Sequence, residues 1–426
     1  MTAPPASAAR PNAVGLGSLF ALGVNGIVGV GIFFTPGSVA ALVPGSAGAL
    51  AYPLTALLLA PVALTAAFLG RALPVDGGPY VWARSAFGAK FGWIVGWVAS
   101  VSALISTAAV FAGVAAQLAV SLPLPGGRAA WVVVCAATLA SIAVTGLRPS
   151  AWVWNALTIT KLVPLGLLLV FGFGLTRAAL APPAAVEAVA PAWGRALLVA
   201  LFPLQGFEVV PVLSGSVRGG RHTLTVATFG SLGFAAALYA AIQLVCVRAV
   251  PGLGDASAPL AEAAAALGGA GAGWLARVVA VGANVSALGI AFGMVVMTPR
   301  YVAALGGQQN ALAFLGRVNA RGVPIAGLLA TVFAIVLLGS LESLESLFVL
   351  SSSAVLIQYV AASAALIWLS LRGAHGLTPW YVVPALLALG AVGMLSSSIE
   401  VRELVVLAAF LAAGGAVLLA SPGRER

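Results

Sequence analysis

Three places in this sequence have residue types and spacings that could do chemistry. The first is Val24–Pro36, which places Gly26, Gly29 and Gly31 within six residues and Pro36 just after them, inside a long apolar run. In hydrocarbon every peptide N–H and C=O needs a partner, so an ordinary spanning helix avoids such crowding. Backbone of this kind survives at membrane depth where it lines a cavity and a ligand supplies the missing partners. The spacing therefore predicts an unwound stretch at Ile27–Gly31, the middle of a broken helix. A glycine-rich packing face is the alternative reading, since glycine is common in membrane helices.

The second place is Lys161, alone in an apolar segment about ten residues from its end, or roughly 15 Å deep at 1.5 Å per residue. Burying an ionisable group there costs at least ~2.5–3.5 kcal/mol, which marks it as functional by default. The chain uses arginine at 18 of its 20 basic positions, yet lysine here. Arginine keeps its proton in a protein, whereas a buried lysine can release one. Proton handling is one reading; a structural cation holding backbone carbonyls is the other. The third place is Leu197-Leu-Val-Ala-Leu-Phe-Pro-Leu-Gln-Gly-Phe-Glu-Val-Val-Pro211, in which Pro203 and Gly206 interrupt an apolar run and Glu208 sits deep within it. Glu208 could bind a cationic side chain, pair with another helix or change protonation.

The elements that must position these residues are membrane helices. Of the 426 residues 62% are apolar and only 7% charged, and mean hydropathy is +1.11, which excludes a soluble domain of this size. Uncharged gaps such as Arg10–Arg71 (60 residues), Lys90–Arg128 (37) and Arg372–Glu400 (27) punctuate the chain. With about 20 residues per span, they predict twelve helices: an all-α membrane protein with broken helices at positions one and six. The net charge of +10 does not point to nucleic acid. Sorted by alternate loops, one side carries 13 basic residues against Asp76 and Glu425, and the other carries six against seven acids. The positive-inside rule then places both termini in the cytoplasm. The N-terminal residues show no cleavable signal pattern. In the loop after the second span, Pro74, Gly77, Gly78 and Pro79 oppose a continuous helix, and Tyr80 and Trp82 are expected as headgroup-level anchors.

Several function classes lose support. Cys135 and Cys246 lie in separate apolar spans, and His222 and His375 fall in loops, so neither a disulfide, a metal site nor a cofactor is expected. An intramembrane enzyme would need a metal set or a nucleophile with its base. A channel would want a ring of polar residues from symmetric subunits.

The segments Gly-Val-Gly-Ile-Phe (29–33), Pro-Val-Asp-Gly-Gly-Pro-Tyr-Val-Trp-Ala-Arg-Ser-Ala-Phe-Gly (74–88), Lys161, Phe-Pro-Leu-Gln-Gly-Phe-Glu (202–208) and Leu-Gly-Arg-Val-Asn-Ala-Arg-Gly-Val-Pro (315–324) occur in that order. Together they resemble the amino acid–polyamine–organocation superfamily of amino acid permeases. The helix-eight end, Pro299-Arg300-Tyr301, lacks that family's usual Arg-Asp-Gly ending. The resemblance implies a LeuT-like five-plus-five inverted repeat. The ten-helix core would be 14–371 (repeats about 14–175 and 193–371), followed by helices eleven and twelve at 378–420, with cytoplasmic tails at 1–13 and 421–426. It implies a substrate site at Ile27, Gly29, Val30, Gly31, Phe202, Gln205 and Gly206: amides near Val30 and Gly31 for a carboxylate, and carbonyls of Ile27, Phe202 and Gln205 for an ammonium group. Phe202 and Phe292 would be gates, and Lys161, with Glu208, would serve coupling. The expected function is amino acid transport across a bacterial inner membrane by alternating access, driven by protons. Exchange, or carriage of polyamines, is the alternative.

Overall fold

The computed structural model describes residues 15–74, 78–146, 151–175, 190–212, 222–256, 258–268, 273–306 and 310–420. Among them the regular elements are all helical, with no strand. In chain order these are α1 (Leu16–Ile27), α2 (Thr35–Leu42), α3 (Ala51–Ala72), α4 (Pro79–Phe87), α5 (Ala89–Ser121), α6 (Gly127–Val144), α7 (Ala151–Val170) and α8 (Trp193–Leu204). They continue with α9 (Val209–Val212), α10 (Thr223–Ala249), α11 (Pro259–Gly268), α12 (Gly273–Gly306), α13 (Ile325–Leu341), α14 (Leu344–Leu371), α15 (Val382–Ser396) and α16 (Val401–Ala420). Short 3-10 turns join several of them.

Eight of these helices are long and apolar enough to cross a bilayer, so the chain is a multi-pass membrane protein. Four shorter apolar helices, at Leu16–Ile27, Lys161–Gly174, Trp193–Leu204 and Ile325–Leu341, lie where the first, fifth, sixth and ninth spans are expected. α5 runs through the middle of the bundle, against α6, α12, α13, α14 and α4. Small residues let helices close in. A Cβ on Gly113 of α5 would stand 2.8 Å from Phe34 Cε2, and one on Gly282 of α12 would stand 2.5 Å from Pro164 Cγ of α7.

The stretch after α3 departs from expectation. Residues 75–77, including Asp76, lie outside the described residues, but from Pro79 the chain is helical. Proline is well placed there because the first turn lacks amide partners anyway. Trp82 is not a headgroup anchor. It is 2% exposed, clustered with Leu69, Leu366 and Leu369 of α3 and α14. The turn of α4 swings its indole inward, and packing outweighs the usual interfacial preference. α11 was not foreseen either; its region reads as a loop holding Asp255 and Glu262. The expected tails and Arg148, Arg177, Glu187, Arg218 and Arg221 lie outside the described residues.

Charges that the sequence sorts to one side do meet there. Arg195, at the start of α8, reaches Glu345 (3.2 Å), Glu400 (3.4 Å) and Glu403 (2.8 Å). Arg402 pairs with Glu342 at 2.6 Å, and Arg128 donates to the Glu342 carbonyl at 2.7 Å. The Glu403 carboxylate also accepts from the Glu400 amide at 2.9 Å, so it caps α16 while it holds Arg195. Replacing Arg195 by methionine leaves Glu403, 4% exposed, without its cation. That change should lower unfolding stability in detergent by about 3 kcal/mol, while Glu400→Gln, at a side chain 67% exposed, should be close to neutral.

Candidate functional site

The helix begun by α1 stops at Ile27. Val28 donates to Val24 at 2.8 Å as the last helical bond, and its backbone then turns away (φ −71°, ψ 88°). Helical hydrogen bonding resumes with Phe33 donating to Val30 and Phe34 to Gly31, both at 3.1 Å. The amides just ahead of Phe33 are therefore those that a helix start leaves without an intrahelical partner. This break coincides with the Ile27–Gly31 stretch expected from sequence.

Of Pro203 and Gly206, the two residues expected to interrupt the sixth span, only Gly206 falls outside the helix. Pro203 lies inside α8, which ends at Leu204. Gln205 is extended (φ −60°, ψ 155°), Gly206 has φ +105°, and α9 starts at Val209. Proline loses one bond but keeps a helical φ; it is Gly206, in a region that side chains avoid, that turns the chain.

The two breaks touch. A Cβ on Gly31 would stand 2.9 Å from Pro203 Cβ and 3.1 Å from Phe202 Cδ1, and one on Gly206 would collide with the Gly26 carbonyl. Glycine at both positions is what permits this approach. Gly29, in contrast, has only ordinary neighbours, with Ile290 Cδ1 at 3.9 Å from such a Cβ.

Several exposed peptide groups are already met by side chains. The Tyr239 hydroxyl of α10 lies 2.9 Å from the Ile27 carbonyl and 3.2 Å from the Pro203 carbonyl, donating across the end of α1 and the last turn of α8. One turn on, Gln243 Nε2 donates to the Pro36 carbonyl at 3.1 Å, and the Tyr52 hydroxyl lies within hydrogen-bond distance of Thr35 Oγ1 (3.1 Å) and Gln243 Oε1 (3.3 Å). Tyr52, Tyr239, Gln243 and Thr35 are each 0% exposed. The Phe202 carbonyl accepts from the Gln205 amide at 3.2 Å. Each carbonyl oxygen has a second lone pair.

On the opposite flank α14 meets the second break in three steps. Phe202 stacks on Phe348 with centroids 4.4 Å apart. Gln205 contacts Ser352 and Ser351, both at 3.4 Å, and Ser351 bonds Ser106 of α5 at 2.7 Å. Glu208 accepts from the Tyr359 hydroxyl and, at 2.6 Å, from the Gly206 amide. Glu208 is thereby bonded to α14 and to the turn at Gly206. Phe292 of α12 is half-buried and packs at the edge of the core.

Lys161 is 3% exposed, and its Nζ donates to the Asn25 carbonyl at 2.9 Å, linking α7 to the last turns of α1. On α12, Asn284 Oδ1 and Ser286 Oγ are buried without a hydrogen-bond partner. No group of three or more His, Cys, Asp or Glu side chains suited to a metal occurs among the described residues.

Sequence reasoning missed Tyr239, Gln243, Tyr52 and Phe348. The one signal was the four-residue spacing of Tyr239 and Gln243, which puts both on one helix face. A lone tyrosine or glutamine in an apolar span otherwise reads as packing.

Comparison with known proteins gives a consistent set. A family model described as amino acid permease matches residues 14–418. The branched-chain amino acid permease BcaP of Lactococcus lactis is 28% identical over 88% of this chain and 86% of its own length. An uncharacterised transporter of Mycobacterium tuberculosis is 28% identical over 84% of this chain and 80% of its own length. The serine/threonine exchanger SteT of Bacillus subtilis is 26% identical over 67% of this chain and 66% of its own length.

Two substitutions test how the breaks are held. Tyr239→Phe withdraws the hydroxyl from two buried carbonyls and should cost about 1–3 kcal/mol in unfolding experiments. Gly206→Ala meets both an unfavourable φ and the Gly26 carbonyl. It should reduce the yield of folded protein on size exclusion more than Tyr239→Phe does.

Proposed function

The chain belongs to the amino acid permease family of the amino acid–polyamine–organocation superfamily, and from that premise we propose that it is a secondary transporter moving amino acids by proton-coupled alternating access. The observation that carries this reading is the direct abutment of two helix breaks, which brings two sets of incompletely bonded peptide groups to one place. Eight long and four shorter apolar helices then make twelve crossings. They form a five-plus-five inverted repeat with the LeuT-like arrangement over 14–371, and the last two crossings are appended. Both termini are cytoplasmic and the membrane is the bacterial inner membrane, as the distribution of basic residues favours.

In this reading the amides around Val30 and Gly31 receive the substrate carboxylate. They sit at the positive end of the resumed half-helix, where free N–H groups and the dipole both favour an anion. The ammonium group is taken by the carbonyls of Ile27, Phe202 and Gln205, the first two sharing their oxygen with Tyr239 and the Gln205 amide. Phe202 and Phe292 act as gates, with Phe348 as the surface on which Phe202 stacks. Gly206 gives the second break its turn. Glu208 holds that turn through the Gly206 amide and ties it to Tyr359.

Lys161 is the coupling residue. Charged, it draws α7 to the Asn25 carbonyl at the end of α1 through a charge-assisted bond. Loss of its proton as the bundle rearranges releases that link. Exchange is the second reading, favoured by the likeness to a protein named as a serine/threonine exchanger. Counterflow into proteoliposomes with and without internal substrate separates the two.

An inside-alkaline gradient should raise uptake of the transported amino acid into proteoliposomes, and Lys161→Ala should abolish that stimulation. Uptake indifferent to the gradient, or a Lys161→Ala protein with intact gradient-driven accumulation, would refute proton coupling. Absence of uptake or counterflow for all twenty amino acids would refute amino acid transport itself.

A further inference from the structure

The segment 315–324 contributes to the family likeness but has no part in the site built above. In space it forms a stapled turn. Asn319 Oδ1 accepts from the amides of Arg321 (2.9 Å) and Val323 (3.0 Å), the Asn319 amide donates to Val323 at 2.9 Å, and the Gly322 amide donates to Asn319 at 2.9 Å. Asn319 Nδ2 also donates to the Val144 carbonyl at 3.3 Å, fastening the turn to the C-terminal end of α6. Gly146 (φ +77°) makes the docking possible, since a Cβ there would stand 3.0 Å from Arg321 Cβ.

This turn, α6 and α12 border a small, partly open cleft. Ala143, Val295, Val296 and Val323 give it apolar walls, and Arg300 and Arg321 line it too, with no acidic residue among the described lining. The surface beside it is apolar and outward-facing: Met297 is 48% exposed, Tyr301 54% and Val318 59%. Two guanidinium-bearing residues over an apolar wall, at the edge of a helix bundle, suit an amphiphile whose anionic head and hydrocarbon tail are covalently joined. Guanidinium groups match phosphate oxygens in geometry and charge. Basic pockets between helices on the cytoplasmic side are where anionic headgroups collect.

We propose that the cleft between α6, α12 and the Asn319-stapled turn binds the phosphate group of an anionic phospholipid from the cytoplasmic leaflet, through Arg321 and Arg300. The proposal uses the membrane orientation given under the proposed function but not the transport reaction, so the two fail separately. A protein that transports nothing could still bind the lipid, and the reverse.

The test is thermal unfolding of the full-length protein in neutral detergent, titrated with phosphatidylglycerol, phosphatidylcholine or inorganic phosphate. Phosphatidylglycerol should raise the midpoint, and the other two should not. Arg321→Gln should raise the phosphatidylglycerol concentration needed by about tenfold, the loss of one charge-assisted contact. Arg300→Gln with Arg321→Gln should remove the shift, and Lys90→Gln, elsewhere on the basic side, should leave it. An equal shift with inorganic phosphate would make this a soluble-anion site, and an equal shift with phosphatidylcholine would make it an apolar surface; either overturns the proposal. So does a phosphatidylglycerol shift unchanged by Arg321→Gln. That single variant decides if the double one does not fold, because the Arg321 side chain is exposed and its turn is held by backbone and Asn319.

Discussion

A peptide group in hydrocarbon has no water to turn to, so interrupting a membrane helix leaves N–H and C=O groups that something else must meet. This chain interrupts two of its helices and presses the interruptions together, with Gly31 against Pro203 and Gly206 against Gly26. The rest of the bundle answers that single demand. α10 supplies a tyrosine and a glutamine from one side, α14 supplies hydroxyls and an aromatic ring from another, and α7 brings a lysine to the last turns of α1.

The side chains that meet the breaks are mostly neutral. Tyr239, Gln243, Tyr52 and Thr35 form a fully buried set that satisfies carbonyls without bringing a charge into the membrane. A neutral donor costs far less to bury than an ion, so a fixed scaffold around the breaks is best made this way. The two charged groups placed deep, Lys161 and Glu208, are each bonded to backbone beside a break, at Asn25 and at Gly206. Both bonds therefore sit where a helix is about to end or has just ended.

At the two ends of the bundle the charges do different work. On one end Arg195 gathers carboxylates from α14 and α16 and fixes the start of α8, the helix that breaks deeper in. Near the C-terminal end of α6, Asn319 builds a turn from bonds between its side chain and backbone rather than from ion pairs. The first arrangement ties helix ends to each other; the second leaves Arg317 and Arg321 exposed.

The sequence by itself determined that this is a membrane protein built of long apolar helices, and that residues near Ile27–Gly31 and Gly206 leave the helix. These follow from local facts: the length of apolar runs, the freedom of glycine and the cost of burying charge. Tertiary structure decided who satisfies the broken backbone. Tyr239 sits more than 200 residues from Ile27 in the chain, and nothing local distinguishes it from a tyrosine used for packing. It also decided that Trp82 turns inward rather than to the headgroups, that Pro203 stays helical while Gly206 makes the turn, and that Glu208 meets Tyr359. A hydrogen bond in hydrocarbon is set by which helices are neighbours, and neighbourhood is a property of the whole bundle rather than of any one span.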